Sequence, residues 1–495
     1  MSNTVTANML YNLIQCPHRV TLDLYGNPSR MDDVSPFVRL LWEKGNAFEE
    51  ELIEGLQVPF TSLRSYRGDE KERLTLAAMK RGDALIYSGR ISSGGLLGEP
   101  DLLRREGDGY EAGDIKSGAG EEGADDNAGG KPKRHYAVQL ALYTDILERI
   151  GMSAVRKPFV WDARREEVVY NLDERLGVRT AATLWDVYVS ALGEAHAILR
   201  RESETLPAYA SQCKLCQWRT ACRKQLEQID DLTLIPELGR TKRDTMSPHI
   251  GTVNDLARAN LKDFLQGGKT IFPGVGKDKL YQYRERALLQ KTRNAKPYLK
   301  EPLTILPAER ELFFDVETDP MRDLCYLHGF MVRAGTGEHY ESFFAAAPTP
   351  EEEERAFRDA VQFIRASMPC RMYHYSHYER TILKKLQRRY PNVISASALD
   401  AIFDPSMTLD LYTDVVRSKS EWPTRDHSIK TLAMFLGFSW RDREPSGAAS
   451  IEWYHRLVET GDGDLKQRIL DYNEDDCIAM RVLLDAILKM PVRGR

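Results

Sequence analysis

The chain reads as a multidomain α/β protein, and three features predict this. Its 495 residues exceed what one hydrophobic core ordinarily organises. Strand-like apolar runs alternate with segments of helical apolar spacing. Acidic residues also stand at the ends of two well-separated strand-like runs, Tyr110–Lys116 and Glu311–Val316.

Composition fits a folded, water-soluble protein: 42% of residues are hydrophobic and 29% charged. No apolar run approaches the roughly 18 residues of a membrane span. Met1 to Met9 is polar and lacks the basic-then-apolar pattern of a signal peptide, so a cytoplasmic location is the default expectation. The net charge of −5 excludes a uniformly basic surface but not a local basic groove. Basic residues cluster at Lys131, Lys133, Arg134 and His135, and again at Arg240, Lys242 and Arg243; alone, each run reads as a solvated face. Seven cysteines, an odd number without an export signal, argue against a disulfide framework.

The first block spans residues 1–228. Apolar spacing predicts a helix over Val38–Leu56, strands over Leu96–Leu103 and Tyr110–Lys116, and a helix from His135 to Ile150. Ser117–Lys131 is rich in Gly, Ala, Glu and Asp and reads as a surface loop. Residues 229–307 read as a helical connector. Residues 308–495 open with the strand Glu311–Val316 and close with a helix around Leu470–Leu488, alternating strand and helix between them. The acidic run Glu351–Glu354 follows Pro348-Thr349-Pro350 and reads as a capped helix start.

Within the first block, Asp114 and Lys116 share one face of a strand, and Asp101 on a neighbouring segment can join them. Two carboxylates and an ammonium in one cleft suit metal-assisted hydrolysis. An isolated Asp-x-Lys is more often a surface ion pair, so the surrounding pattern matters. Gln139 and Tyr143 lie one helical turn apart, and Gly45-Asn46-Ala47-Phe48-Glu49 adds a carboxylate from an earlier helix. The set Glu49, Asp101, Asp114, Lys116, Gln139 and Tyr143 resembles the RecB-like branch of the PD-(D/E)XK nucleases. The resemblance implies a restriction-endonuclease-like fold, metal held by Glu49, Asp101 and Asp114, and catalytic roles for Asp101, Asp114, Lys116, Gln139 and Tyr143. Glu49 departs from it, since many relatives carry His there.

Cys213-x-x-Cys216 followed by Cys222 has metal-ligand spacing, with Cys16 as a fourth thiolate. Spacing alone suits zinc or a [4Fe–4S] cluster equally. Some RecB-like nucleases carry one cysteine before the core and three after it, as here, and that resemblance implies a [4Fe–4S] cluster. Cys325, Cys370 and Cys477 read as ordinary buried thiols.

In the connector, Phe272-Pro273-Gly274-Val275-Gly276-Lys277 precedes a helical segment, and Ile250-Gly251-Thr252-Val253 precedes another. The first resembles the hairpin of helix-hairpin-helix modules, which implies phosphate contacts at Gly274, Gly276 and Lys277; a plain helix–helix turn accounts for the glycines equally well.

In the last block, Asp315 and Glu317 share a strand face, and Tyr472 and Asp476 share a helix face. Carboxylates at the end of an apolar strand are costly unless they bind cations. With Glu379, in Tyr375-Ser376-His377-Tyr378-Glu379, these residues resemble the DEDD exonucleases of the RNase H-like fold, in the subgroup with Tyr-x-x-x-Asp. Glu379 stands where that family has Asp. The resemblance implies 3′–5′ hydrolysis at two Mg²⁺ or Mn²⁺ ions held by Asp315, Glu317 and Asp476, with Glu379 and Tyr472 assisting. Asp410 reads as a supporting acid, and Ser428–Leu432 and Leu436–Phe438 as core packing.

The arrangement resembles, over nearly the whole chain, a family of RecB-like nucleases with a C-terminal RNase H-like domain. The expected activity is phosphodiester hydrolysis, on DNA in repair or recombination. RNA processing, or nucleic-acid binding by decayed sites, are the alternatives. The chain lacks a Gly-x-x-x-x-Gly-Lys-Ser/Thr loop, so it is not itself a helicase; a separate helicase partner is compatible with the pattern.

Overall fold

The computed structural model describes residues 4–123, 130–177, 180–305 and 307–493. It divides into two compact units, Met1–Pro207 with Ser211–Cys222, and Ala208–Ala210 with Arg223–Arg495.

The first unit is built on a six-stranded mixed sheet whose strands lie in chain order: β1 (Thr61–Ser62), β2 (Leu85–Tyr87), β3 (Leu102–Glu106), β4 (Gly109–Ile115), β5 (Phe159–Trp161) and β6 (Glu167–Val169). The period-two alternation of strands divides their side chains between two cores. Ile86, Leu103, Tyr110, Ala112 and Val160 face a large cluster that includes helix α4 (Arg134–Arg149). Leu85, Tyr87, Leu102, Ile115 and Phe159 face a smaller cluster with Phe48 and Leu52 of α2 (Pro36–Glu54). Helices α1 (Ala7–Gln15), α3 (Gly68–Arg81) and α5 (Leu184–Leu199) also belong to the unit.

The expected single strand Leu96–Leu103 divides in two. Leu96–Gly98 pairs in a separate three-stranded sheet, and β3 starts at Leu102. Pro100 has no amide hydrogen to continue a ladder, and the break leaves Asp101 at the strand's entrance. Of the expected loop Ser117–Lys131, residues 124–129 lie outside the described residues; its flanks, Glu121–Glu122 and Lys131–Pro132, pair antiparallel.

The second unit centres on a five-stranded sheet of β7 (Arg310–Asp319), β8 (Leu324–Ala334), β9 (Gly337–Phe344), β10 (Arg371–His374) and β11 (Thr408–Asp410), in spatial order β9-β8-β7-β10-β11. The first three strands are antiparallel; β10 and β11 add in parallel. Leu312, Phe314 and Val316 point into a core shared with α10 (Pro350–Ala366) and α11 (Tyr378–Arg389). The alternate residue Phe313 packs with Cys477, Met480 and Leu484 of α14 (Gly463–Ile487). Asp315 and Glu317 share the parity of Phe313, which turns them toward α14. Helices α12 (Ile429–Phe435) and α13 (Gly447–Thr460) pack against α14. Thr349 caps α10 as its sequence predicts, its side chain accepting from the Glu352 amide.

Residues 229–307 fall in the second unit. They supply α7 (Gly239–Met246), α8 (Val253–Arg258) and α9 (Lys277–Lys291), which follow α6 (Arg219–Gln228) and enclose an apolar cluster that includes Leu232, Met246, Leu256 and Tyr283. Gly274 has φ +76°, the left-handed turn that glycine permits, and Gly276 is the N-cap of α9. Arg286 of α9 is fully buried, and its Nε donates to Glu421 Oε2 at 2.8 Å while Nη1 donates to Pro236 O at 2.8 Å.

Candidate active sites

In the first unit, Asp114 closes β4 on the face turned toward α4, and the chain then carries Lys116 back beside it. Lys116 Nζ stands 3.0 Å from Asp114 Oδ2, yet that buried oxygen has no aligned hydrogen-bond partner. Asp101, at the mouth of β3, accepts the Ile115 amide at 2.8 Å. Its burial, and then the neighbouring charge of Asp114, push its pKa up to about 7. Burial alone would depress the Lys116 ammonium, but the Asp114 and Asp101 carboxylates hold it above its ordinary value. On α4, Gln139 Nε2 donates to Tyr143 Oη at 3.1 Å. The Tyr143 ring lies so close to Gly98 that a Cβ there would sit 2.5 Å from its Cδ1. Burial, then Asp114 and Asp101, raise the Tyr143 phenol well above its usual range, which places it at the same acidic cleft. Glu49 arrives from α2, and its Oε1 accepts from Tyr87 Oη at 2.7 Å. Glu49, Asp114 and Lys116 bear electrostatically on Asp101, and Gln139 reaches this cleft through Tyr143; among the described residues, Glu49, Asp101 and Asp114 do not bring three carboxylate oxygens within 4.8 Å of one another. Lys71 of α3 was not apparent in the sequence: it is buried, donates to Ser88 Oγ at 2.8 Å, and interacts electrostatically with Glu99 and Asp101.

The four cysteines come from the two sequence ends of this unit and interact electrostatically. Cys16 joins α1 to the helix Pro17–Tyr25, Cys213 lies in the turn Ser211–Leu215, and Cys222 lies on α6. Trp218 Nε1 donates to Asp23 Oδ1 at 2.6 Å, tying the segments together. Burial pushes the Cys222 thiol up to about 12, with Cys216, Cys16 and Cys213 each adding to the rise. Among the described residues, no three of these sulfurs lie within 4.8 Å of one another.

In the second unit, Asp315, Glu317 and Asp476 bring carboxylate oxygens within 4.8 Å of one another. Burial and then Asp476 raise Asp315 well above the carboxylate range, and the same two causes push Glu317 up to about 8. Glu379, on α11, also bears on Asp315 electrostatically; it is buried, and its Oε2 lacks a hydrogen-bond partner. His374 Nδ1 stands 3.5 Å from that oxygen. Clustered, largely buried acids, with Glu379 Oε2 left unpaired, are costly on their own and well suited to divalent cations. The all-oxygen donor set suits Mg²⁺ or Mn²⁺.

Three contributions here were not legible as chemistry. Asn473, one residue after Tyr472, donates from Nδ2 to Asp315 Oδ2 at 2.7 Å and accepts from Tyr340 Oη at 2.7 Å. Lys430 lies in the stretch that reads as core packing, yet its Nζ donates to Tyr472 Oη at 2.9 Å and to Asp476 Oδ1 at 3.0 Å. Trp440 Nε1 donates to the same Asp476 oxygen at 2.8 Å. Asp410 Oδ2 is buried without a hydrogen-bond partner, and Asp410 bears electrostatically on Glu379. Its Oδ1 accepts the amides of Ser376, Tyr412 and Thr413, each at 2.9 Å, so it shapes the turn that leads into α11 and Glu379.

A family profile for the PD-(D/E)XK nuclease superfamily matches residues 29–223, and one for the RNase H superfamily matches residues 312–488. No curated protein matches the chain. The two matched regions carry the two acidic clefts, so the chain contains a PD-(D/E)XK nuclease-superfamily domain followed by an RNase H-superfamily domain.

Proposed function

We propose that the protein is a metal-dependent nuclease that hydrolyses phosphodiester bonds of DNA at two separate sites. The observation that carries this reading is the trio Asp315, Glu317 and Asp476, whose buried or half-buried oxygens gather within 4.8 Å. When bound there, Mg²⁺ or Mn²⁺ supplies a water of lowered pKa and a counter-charge for the leaving 3′ oxygen. Asp315, Glu317 and Asp476 hold the ions, Glu379 adds a carboxylate, and Tyr472 orients the attacking water. The resemblance to the DEDD exonucleases implies chain-end removal in the 3′–5′ direction. In the first site, Glu49, Asp101 and Asp114 hold the metal, Lys116 stabilises charge building on the phosphate, and Gln139 and Tyr143 orient the substrate.

The four cysteines fit an iron–sulfur cluster. Burial raises the Cys216 and Cys222 thiols and the neighbouring cysteines add to the rise, a repulsion that a cationic cluster would relieve. The cluster would staple the two ends of the first domain. The turn at Gly274 and Gly276, with Lys277 opening α9, is suited to a sequence-independent phosphate contact. These features together support work on DNA ends in repair or recombination.

The test is cleavage of end-labelled single- and double-stranded DNA, with an RNA control, by anoxically purified protein in Mg²⁺, Mn²⁺ or EDTA. Metal-dependent cleavage of DNA is expected. Cleavage of RNA alone would move the substrate assignment, and no cleavage of either would leave a binding protein.

A further inference from the structure

Lys430 is seated more elaborately than a surface lysine needs. Asp426 Oδ1 accepts from the Ser428 amide at 3.0 Å and from Ser428 Oγ at 2.8 Å. Ser428 in turn caps α12, accepting from the Thr431 amide, and α12 packs on α14. This places the Lys430 ammonium 4.7 Å from the Tyr472 ring centroid and 5.2 Å from that of Trp440. From there it donates to Tyr472 Oη at 2.9 Å and to the two oxygens of Asp476 at 3.0 and 3.2 Å. One cation thus bridges the phenol and the carboxylate that lie a helical turn apart on α14. Its side chain is 25% exposed and that of Asp476 is 11% exposed, so solvent screens the pair only in part.

We propose that Lys430 is a positioning residue of the second site that serves two states in turn. Without divalent ions it is the internal counter-cation of Asp476. When Asp476 is engaged in holding an ion, the ammonium gives up the carboxylate and keeps the phenol, fixing Tyr472 where the attacking water must lie. The geometry carries both halves. Asp476 has a second, independent donor in Trp440 Nε1, so its carboxylate stays oriented when the ammonium leaves. The flanking aromatic rings keep the cation close while it changes partner. The proposal rests on reading the second cleft as a metal-dependent nuclease site.

The experiment compares wild type, Lys430→Met and Lys430→Arg in two measurements. Mn²⁺ binding is followed by electron paramagnetic resonance or calorimetry, and steady-state cleavage of a 3′-labelled oligonucleotide gives kcat and KM. Removing a positive charge beside Asp476 should tighten Mn²⁺ binding by roughly tenfold in Lys430→Met. Loss of the phenol's anchor should lower kcat by roughly 10- to 100-fold with KM within about twofold. Lys430→Arg, which keeps the charge and a donor, should retain wild-type Mn²⁺ affinity and recover part of kcat; it also guards against a fold-damaged methionine variant. Unchanged Mn²⁺ affinity and unchanged kcat in Lys430→Met would overturn the proposal, as would an arginine variant matching methionine in both measurements. A wild type that binds Mn²⁺ but cleaves nothing overturns the nuclease reading instead, and the Mn²⁺ comparison then decides the counter-cation role by itself.

Discussion

Asp315 and Glu317 point the same way because a strand's side chains alternate, and the protonation of Glu317 follows from where that face leads. Its carboxyl is pushed up to about 8 by burial and by Asp476. A carboxyl whose folded pKa lies above its unfolded value binds the extra proton in the native state. Stability then falls as pH rises from the unfolded pKa toward the folded one. In EDTA, the second unit should therefore melt at progressively lower temperature between about pH 5 and 8. Mg²⁺ should restore most of the loss at pH 8 and little at pH 5, and Glu317→Gln should flatten the EDTA profile; a melting temperature independent of pH in EDTA would contradict the pKa assignment. Asp114 with Lys116, and Asp315 with Glu317, were legible from sequence for the same reason, since a spacing of two is local information. Asn473 and Lys430 were not. Each gains its meaning from a partner more than 40 residues away, Asp315 for Asn473 and Tyr472 for Lys430.

At the scale of elements, the second site depends on how closely α14 lies on β8. Gly329 marks that approach: a Cβ there would fall 1.6 Å from Asn473 Oδ1 and 2.7 Å from Tyr340 Oη. Gly329→Ala must displace Asn473, which holds Asp315. The expected cost is about 2–3 kcal/mol of stability, with Mn²⁺ affinity weakened as well. Thermal melting and Mn²⁺ titration check the two effects; a fully stable variant with native affinity would show that α14 adjusts freely. Element existence was well predicted wherever periodicity was sustained, as over Arg134–Arg149 and Gly463–Ile487. The break at Pro100 was not, because it required knowing that Leu96–Gly98 finds a different sheet from Leu102–Glu106. The helix α12 read as core for a similar reason: Leu432 and Ala433 are indeed buried, and Lys430 shares their short helix.

On the scale of the whole molecule, two features bear on how each unit holds together. In the second, Arg286 is buried with Glu421, and the connector's Glu237 stands 3.2 Å from the same guanidinium. Arg286→Met leaves Glu421 buried with weaker compensation, and should lower the stability of that unit by about 3 kcal/mol. In the first, Cys222→Ser should remove visible absorbance and iron together and lower that unit's melting temperature. Equal iron and acid-labile sulfide in the wild type would identify the cluster, whereas zinc without iron would exclude it. The central claim is that two distinct metal-dependent sites cut nucleic acid. Its most direct test is metal-dependent cleavage of end-labelled DNA by wild type, Lys116→Ala, Asp315→Ala and the double variant, each first shown to melt like the wild type. Each single variant should lose one set of products, Asp315→Ala the stepwise 3′-end products, and the double variant should be inactive. Residual wild-type cleavage in the double variant, or no cleavage by the wild type itself, would contradict it.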